Sequence, residues 1–214
     1  MPLQGWETKP TDRFVLRWIK IHCSARITPR LVDLPGLHPW MVTLASAGIG
    51  VLAGFLFACG WGWGAGLLAA CAQVLDGVDG QLARITGRQS RGGAFWDSVL
   101  DRYADGAMVI GLTLYLVRQP TPLPLPLLLV LGTFALIGSN LISYSSARAE
   151  GLGIDLGPPT LASKGTRSAI MILGALGSAL HGFFPLMSLL LLFVITNGVV
   201  VSRLLKTRHS SDPL

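Results

Sequence analysis

Three long stretches of the chain, residues 41–75, 122–147 and 168–202, are strongly apolar and contain no Asp, Glu, Lys or Arg. A membrane-spanning helix needs roughly 20 mostly apolar residues. The first and third stretches are too long for one span each. CGWGWG (59–64) breaks the first and HGFFP (181–185) the third, with the glycines and proline that mark turns. Counting the flanking segments of lower polarity, the pattern predicts six spans: 39–59, 63–84, 93–117, 123–148, 162–181 and 184–204. The expected fold is therefore all-α, a polytopic membrane protein with six transmembrane helices.

A shorter pattern precedes them. Residues 11–22, TDRFVLRWIKIH, place Phe14, Trp18 and Ile21 at helical spacing, with Arg13, Arg17 and Lys20 on the other side. This predicts an amphipathic helix lying in the membrane interface. The first ten residues are polar and carry no signal-peptide pattern. The expected organisation is an N-terminal arm with the interfacial helix (1–37), a six-helix catalytic domain (38–206) and a short tail (207–214).

Composition agrees with a membrane location. Of 214 residues, 51% are hydrophobic and 13% charged, against about 25% charged in a typical soluble domain. Mean hydropathy is +0.57. The basic residues cluster in the arm (Lys9, Arg13, Arg17, Lys20, Arg26, Arg30), between spans 2 and 3 (Arg84, Arg88, Arg91), around the loop between spans 4 and 5 (Arg148, Lys164, Arg167) and in the tail (Arg203, Lys206, Arg208). An even number of spans puts all of these on one face. The positive-inside rule makes that face, with both termini, cytoplasmic. The net charge of +6 then suits anionic headgroups and phosphate-bearing substrates rather than nucleic acid. Cys23, Cys59 and Cys71 have no metal-ligand or redox spacing.

The acidic residues break the pattern. Five of the 11 Asp and Glu fall between residues 76 and 105: Asp76, Asp79, Asp97, Asp101 and Asp105. Asp76 and Asp79 are three apart at the end of span 2, and Asp97 and Asp101 four apart at the start of span 3. Each pair shares a helix face. A short loop predicts antiparallel neighbours, so four carboxylates converge. Two carboxylates about 6 Å apart repel by roughly 3 kcal/mol at an effective dielectric near 20, so cations or protons must compensate them. Hard oxygen ligands select Mg²⁺, Mn²⁺ or Ca²⁺, and two divalent ions suit displacement at phosphorus. Gly80 and Gly93, with the small Ala83, leave room for a bulky group near the backbone, and Arg84 on the next turn is placed to hold a phosphate. A proton or ion relay would instead need acids near mid-membrane and an internal repeat, and neither is found. A non-catalytic scaffold would be expected to have lost one of the four aspartates.

The stretch Asp76-Gly-Val-Asp79-Gly80-Gln-Leu-Ala83-Arg84, eight residues, Gly93, three residues, Asp97, three residues, Asp101 resembles the signature D-x-x-D-G-x-x-A-R, x8, G-x-x-x-D-x-x-x-D of the CDP-alcohol phosphotransferases. The resemblance implies that an acceptor hydroxyl attacks the phosphorus of a CDP-alcohol, usually a CDP-lipid, and that CMP leaves. It further implies that Asp76, Asp79, Asp97 and Asp101 bind two divalent ions, Mg²⁺ or Mn²⁺, and that Asp101 also serves as general base. By the same resemblance Gly80, Ala83 and Gly93 make room for the nucleotide and Arg84 contacts phosphate. Where family members often carry Pro-Asn before the first span, this chain has Pro39-Trp40, which leaves Thr43 as the candidate for that nucleotide contact.

SYSSARAEGLGIDLG (143–157) resembles the Y-x-x-A-R-A-E-G-L-G stretch of the phosphatidylinositol-phosphate synthase branch. That branch places two basic residues three apart at the start of span 5 to hold the acceptor's phosphate. Lys164 and Arg167 have this spacing, and Arg148 ends span 4. The implied acceptor is a phosphorylated polyol, inositol phosphate first and glycerol 3-phosphate next. Asp101-Arg-Tyr-Ala-Asp105-Gly also resembles enzymes that use CDP-inositol as donor. A homodimer in a prokaryotic cell membrane is implied as well.

Overall fold

The computed structural model of the protein describes residue 8, residues 14–158 and residues 160–208. Among these residues every regular element is helical. Helix α1 (Phe14–Ile19) runs through a π turn (Lys20–Ser24) into α2 (Ala25–Val32). Then follow α3 (Pro39–Ala58), α4 (Gly62–Ile85), α5 (Arg91–Arg118), α6 (Leu125–Leu152), α7 (Lys164–Gly177) and α8 (Phe183–Arg208).

These last six fall on the six predicted spans, and their ends follow from local chemistry. Pro39 opens α3 at its first turn, where a missing N–H costs nothing. Ser90 caps α5, its Oγ accepting from Gly93 N at 3.0 Å. Gly153 closes α6 at φ +70°, while Ile154 N donates back to Ala149 O at 2.9 Å, the left-handed stop that favours glycine. That is the structural role of the glycine ending the A-R-A-E-G-L-G stretch. By length and composition, α3, α6 and α8 qualify to cross a membrane. Helices α4 and α5 are long enough but carry the aspartates, and α7 has only 14 residues.

Glycines let α3 serve as the hub. Gly54 faces Ala107 of α5 so closely that a Cβ there would overlap the Ala107 carbonyl, and a Cβ at Gly111 would overlap the Gly54 carbonyl. Such contact between small residues drives helix association where lipid removes the hydrophobic incentive. Helix α3 packs along both α4 and α5, whereas α4 and α5 barely touch each other. The short 86–90 connection does make them sequential, but the expected direct packing of these two helices is replaced by packing of each on α3. A gap between them results. The apolar core, centred on Ala53, Phe57, Leu112, Leu116, Leu131 and Leu189, fills the bundle away from the aspartates.

The arm departs from the predicted pattern at one residue, Lys20, which that pattern puts on the polar face. Residues 11–13 of the amphipathic stretch lie outside the described residues. In the rest, Trp18 is 58% exposed whereas Lys20 is 7% exposed. Lys20, Ser24 and Thr28 form the face that docks on α4. Ser24 Oγ donates to Val74 O at 2.7 Å, and Thr28 Oγ1 to Gln81 Oε1 at 2.6 Å. Buried polar groups pair in this way because leaving them unpaired costs roughly 1–3 kcal/mol.

Candidate active site

The gap between α4 and α5 is the site. One carboxylate oxygen each from Asp76, Asp97 and Asp101 lies within 4.8 Å of the other two. Oxygens on opposite sides of one ion at roughly 2.1–2.4 Å would be about 4–5 Å apart, so the three fit a single hard cation. Asp79 stands beside them. Its Oδ1 accepts from Gly80 N, and its Oδ2 is buried with no hydrogen-bond partner among the described residues. An orphaned buried carboxylate oxygen next to three clustered ones is the chemistry of a divalent-cation site.

The acids separate two cavities. The larger, about 480 Å³, contains Asp79 and Asp97 together with Thr43, Gly80, Ala83, Arg84 and Gly93. These five are all the residues expected to contact the nucleotide. The volume is that of an ordinary small-molecule site. A Cβ at Gly93 would meet only Ser90 Oγ, at 3.1 Å, and one at Gly80 only the Arg84 guanidinium, nearest at 3.3 Å. Helix packing therefore does not demand these glycines, and both face the cavity. Trp40, which replaces the family's Asn, lines the same cavity with Trp96 and Gln89.

The smaller cavity, about 50 Å³, lies between α3, α4, α5 and α7 and is lined by Ser46, Gln73, Asp76, Asp101, Lys164 and Ser168 among others. Lys164 bridges two of the signature acids, with Nζ 2.7 Å from Asp76 Oδ1 and 2.6 Å from Asp101 Oδ1. Gln73 Nε2 donates to the other oxygen of Asp76 at 3.3 Å. Arg167 is 1% exposed; it donates to Ala162 O at 2.7 Å and to Asp105 Oδ2 at 3.2 Å. Asp105 also takes Arg102, at 3.2 Å, and Arg102 reaches across to Ser143 Oγ at 2.7 Å. Asp105, one turn beyond the signature, thus holds two guanidinium groups.

Arg148 is exposed on α6; like Arg167 and Arg203 it does not line either cavity, so of the three predicted phosphate contacts only Lys164 does. An arginine outside the predicted set is Arg203 of α8, the helix that packs beside α7. Arg203 donates to Ile142 O and to Ser145 Oγ, both at 2.6 Å. In the sequence it reads only as a positive charge of the tail. The available signal was that it is the first charged residue after the uncharged 168–202 run.

A model of the CDP-alcohol phosphatidyltransferase family matches residues 37–197. The chain belongs to this family. Among similar proteins is a phosphatidylinositol phosphate synthase of Streptomyces avermitilis, 35% identical over 151 residues, 69% of this chain and 60% of that protein. A bifunctional IPC transferase and DIPP synthase of Thermococcus kodakarensis is 33% identical over 140 residues, 65% of this chain but 30% of that protein. An archaetidylinositol phosphate synthase of Pyrococcus horikoshii is 35% identical over 156 residues, 72% of this chain and 77% of that protein. The chain therefore spans less than two thirds of the length of the first two relatives. Among solved structures, the Mycobacterium tuberculosis phosphatidylinositol phosphate synthase with CDP-DAG bound superposes with a TM-score of 0.77 at 26% identity, covering 90% of this chain and 98% of that one. The same enzyme in complex with manganese and citrate also gives 0.77 at 26% identity, covering 89% and 93%. The family match takes in α3 to α7 and most of α8, hence the whole aspartate cluster and both cavities.

Proposed function

We propose that this chain transfers the phosphoalcohol group of a CDP-alcohol, a CDP-lipid in the first place, to a hydroxyl of a phosphorylated polyol, inositol phosphate before glycerol 3-phosphate, and releases CMP. The observation that carries the reading is the meeting of the Asp76, Asp97 and Asp101 oxygens at the edge of the cavity lined by Thr43, Gly80, Ala83, Arg84 and Gly93.

Asp76, Asp79, Asp97 and Asp101 would hold two divalent ions, Mg²⁺ or Mn²⁺. When bound, such ions supply positive charge to the donor's diphosphate and to the leaving CMP. Arg84 grips a diphosphate oxygen from the cavity wall. Asp101 takes the proton of the acceptor hydroxyl as its oxygen bonds to the donor phosphorus and the bond from phosphorus to the CMP oxygen breaks. Lys164 and Arg167 hold the acceptor's phosphate, and Arg148 was the third sequence candidate. Arg203, on the α8 helix that packs beside α7, is a further candidate. The relatives named for inositol-phosphate products support this acceptor, and the CDP-DAG complex of the tuberculosis enzyme supports a lipid donor.

The same reading places six helices across a prokaryotic cell membrane, with the arm at the interface, both termini and the aspartates on the cytoplasmic side, and two chains forming a homodimer. The Asp101-Arg-Tyr-Ala-Asp105 sequence and the similarity to a DIPP synthase favour CDP-inositol as the second donor to test. The deciding experiment is release of radiolabelled CMP from several CDP donors, crossed against inositol phosphate, glycerol 3-phosphate and their unphosphorylated forms, with Mg²⁺ or EDTA. Release that needs neither a divalent ion nor any of these acceptors would sink the reading.

A further inference from the structure

Lys20 is the point at which the N-terminal arm reaches the acid cluster. Its stem lies over Gly77, the residue after Asp76. A Cβ built on Gly77 comes 3.1 Å from Lys20 Cγ and overlaps Ser24 Oγ, so only glycine lets the arm sit this close. The seat is then pinned by side chains. Gln81 Nε2 donates to Lys20 O at 3.0 Å while Gln81 Oε1 accepts from Thr28, and Ser24 bonds Val74 O one turn back along α4. The chain takes a π turn at Lys20–Ser24 where it meets α4, an irregularity found often at functional sites. Burying an ammonium is costly unless a negative group compensates it. Lys20 is 7% exposed, and its stem lies over the residue next to Asp76, so its ammonium, three bonds beyond Cγ, is within reach of that carboxylate, while Lys164 approaches the same residue from α7.

We propose that Lys20 is a positioning residue of the acid cluster: its ammonium, delivered by the docked arm, offsets part of the charge of Asp76 and sets how tightly the cluster binds a divalent cation. This rests on the reading that the aspartates bind metal. A fixed positive charge beside the ligands weakens binding of a further cation, so the cluster holds its ions firmly only once a negatively charged diphosphate joins them. The arm, which the sequence presents as a membrane-surface element, is on this view part of the site.

The test is Mn²⁺ binding to the full chain in detergent, without nucleotide, followed by the EPR signal of free Mn²⁺. Lys20→Met keeps the stem over Gly77 and removes the charge; it should bind Mn²⁺ about tenfold more tightly than the wild type, and Lys20→Arg within about twofold of it. Lys20→Gln serves where Lys20→Met does not purify folded. Neutral variants that melt like the wild type and bind Mn²⁺ equally or more weakly would overturn the role of Lys20. Asp76→Asn is the control: weakened Mn²⁺ binding there with unchanged Lys20 variants overturns Lys20 alone, whereas Asp76→Asn binding like the wild type overturns the metal reading itself.

Discussion

Lys164 Nζ lies 2.6 Å from Asp101 Oδ1, joining α7 to α5. The group proposed to hold the acceptor's phosphate and the group proposed to take its proton are thus in direct contact, and on that proposal the acceptor's two ends would be read at adjacent points. Asp101→Asn keeps the shape and removes the base. It should lower kcat by roughly 10²–10⁴-fold while the protein still elutes as a folded species. Wild-type CMP release from that variant would end the base assignment.

Lys164 and Arg167 should affect one substrate more than the other. Replacing either by Gln should raise the acceptor KM by about ten- to a hundredfold, the worth of a charged hydrogen bond, and raise the KM of the CDP donor far less. The effect should vanish with an acceptor that lacks the phosphate. Equal effects on both substrates would leave these residues as supports of the aspartates only.

Asp105 holds Arg102 and Arg167 at 3.2 Å each. Asp105→Asn leaves the buried Arg167 charge without its carboxylate, a change that typically costs about 3–5 kcal/mol. The melting temperature in detergent should fall, and the acceptor KM should rise in parallel with that of Arg167→Gln. Arg102→Gln, at the more exposed partner, should do much less. Full stability of Asp105→Asn would show that the pair contributes little.

Gly54 and Gly48 sit on the same helix in different surroundings. A methyl at Gly54 would overlap Ala107, whereas one at Gly48 meets nothing within 4 Å. Gly54→Ala should therefore destabilise by about 1–3 kcal/mol, and Gly48→Ala should be neutral or slightly stabilising. Thermal melts of the two purified variants check this; equal melting temperatures would mean that α3 and α5 are not held by that contact.

The helices and the aspartates were legible because both depend on neighbours in the chain. Charge-free runs broken at CGWGWG and HGFFP mark helices whatever surrounds them, and spacings of three and four put Asp76 with Asp79 and Asp97 with Asp101 whatever they face. Arg148 shows the limit. Its position at the end of α6 was correct, but side-chain direction decides whether such a residue reaches a site, and this one is exposed. Asp105 shows both sides: its spacing of three from Arg102 offers that partner locally, and the pair forms at 3.2 Å, but nothing in the sequence signals that Arg167, 62 residues away, would share it.

By itself the sequence determined six apolar helices and four acids on two of them, since periodicity and the exclusion of charge from lipid act locally. Only tertiary structure decided that α3 would pack between α4 and α5 and leave a cavity there. It also decided that Lys20 would turn inward, and that Lys164, 88 residues from Asp76, would bridge two carboxylates. Those outcomes depend on which helix faces can approach closely, at Gly54, Gly77 and Gly111, and on which buried charges must then find partners. Both are properties of the packed bundle rather than of any one segment.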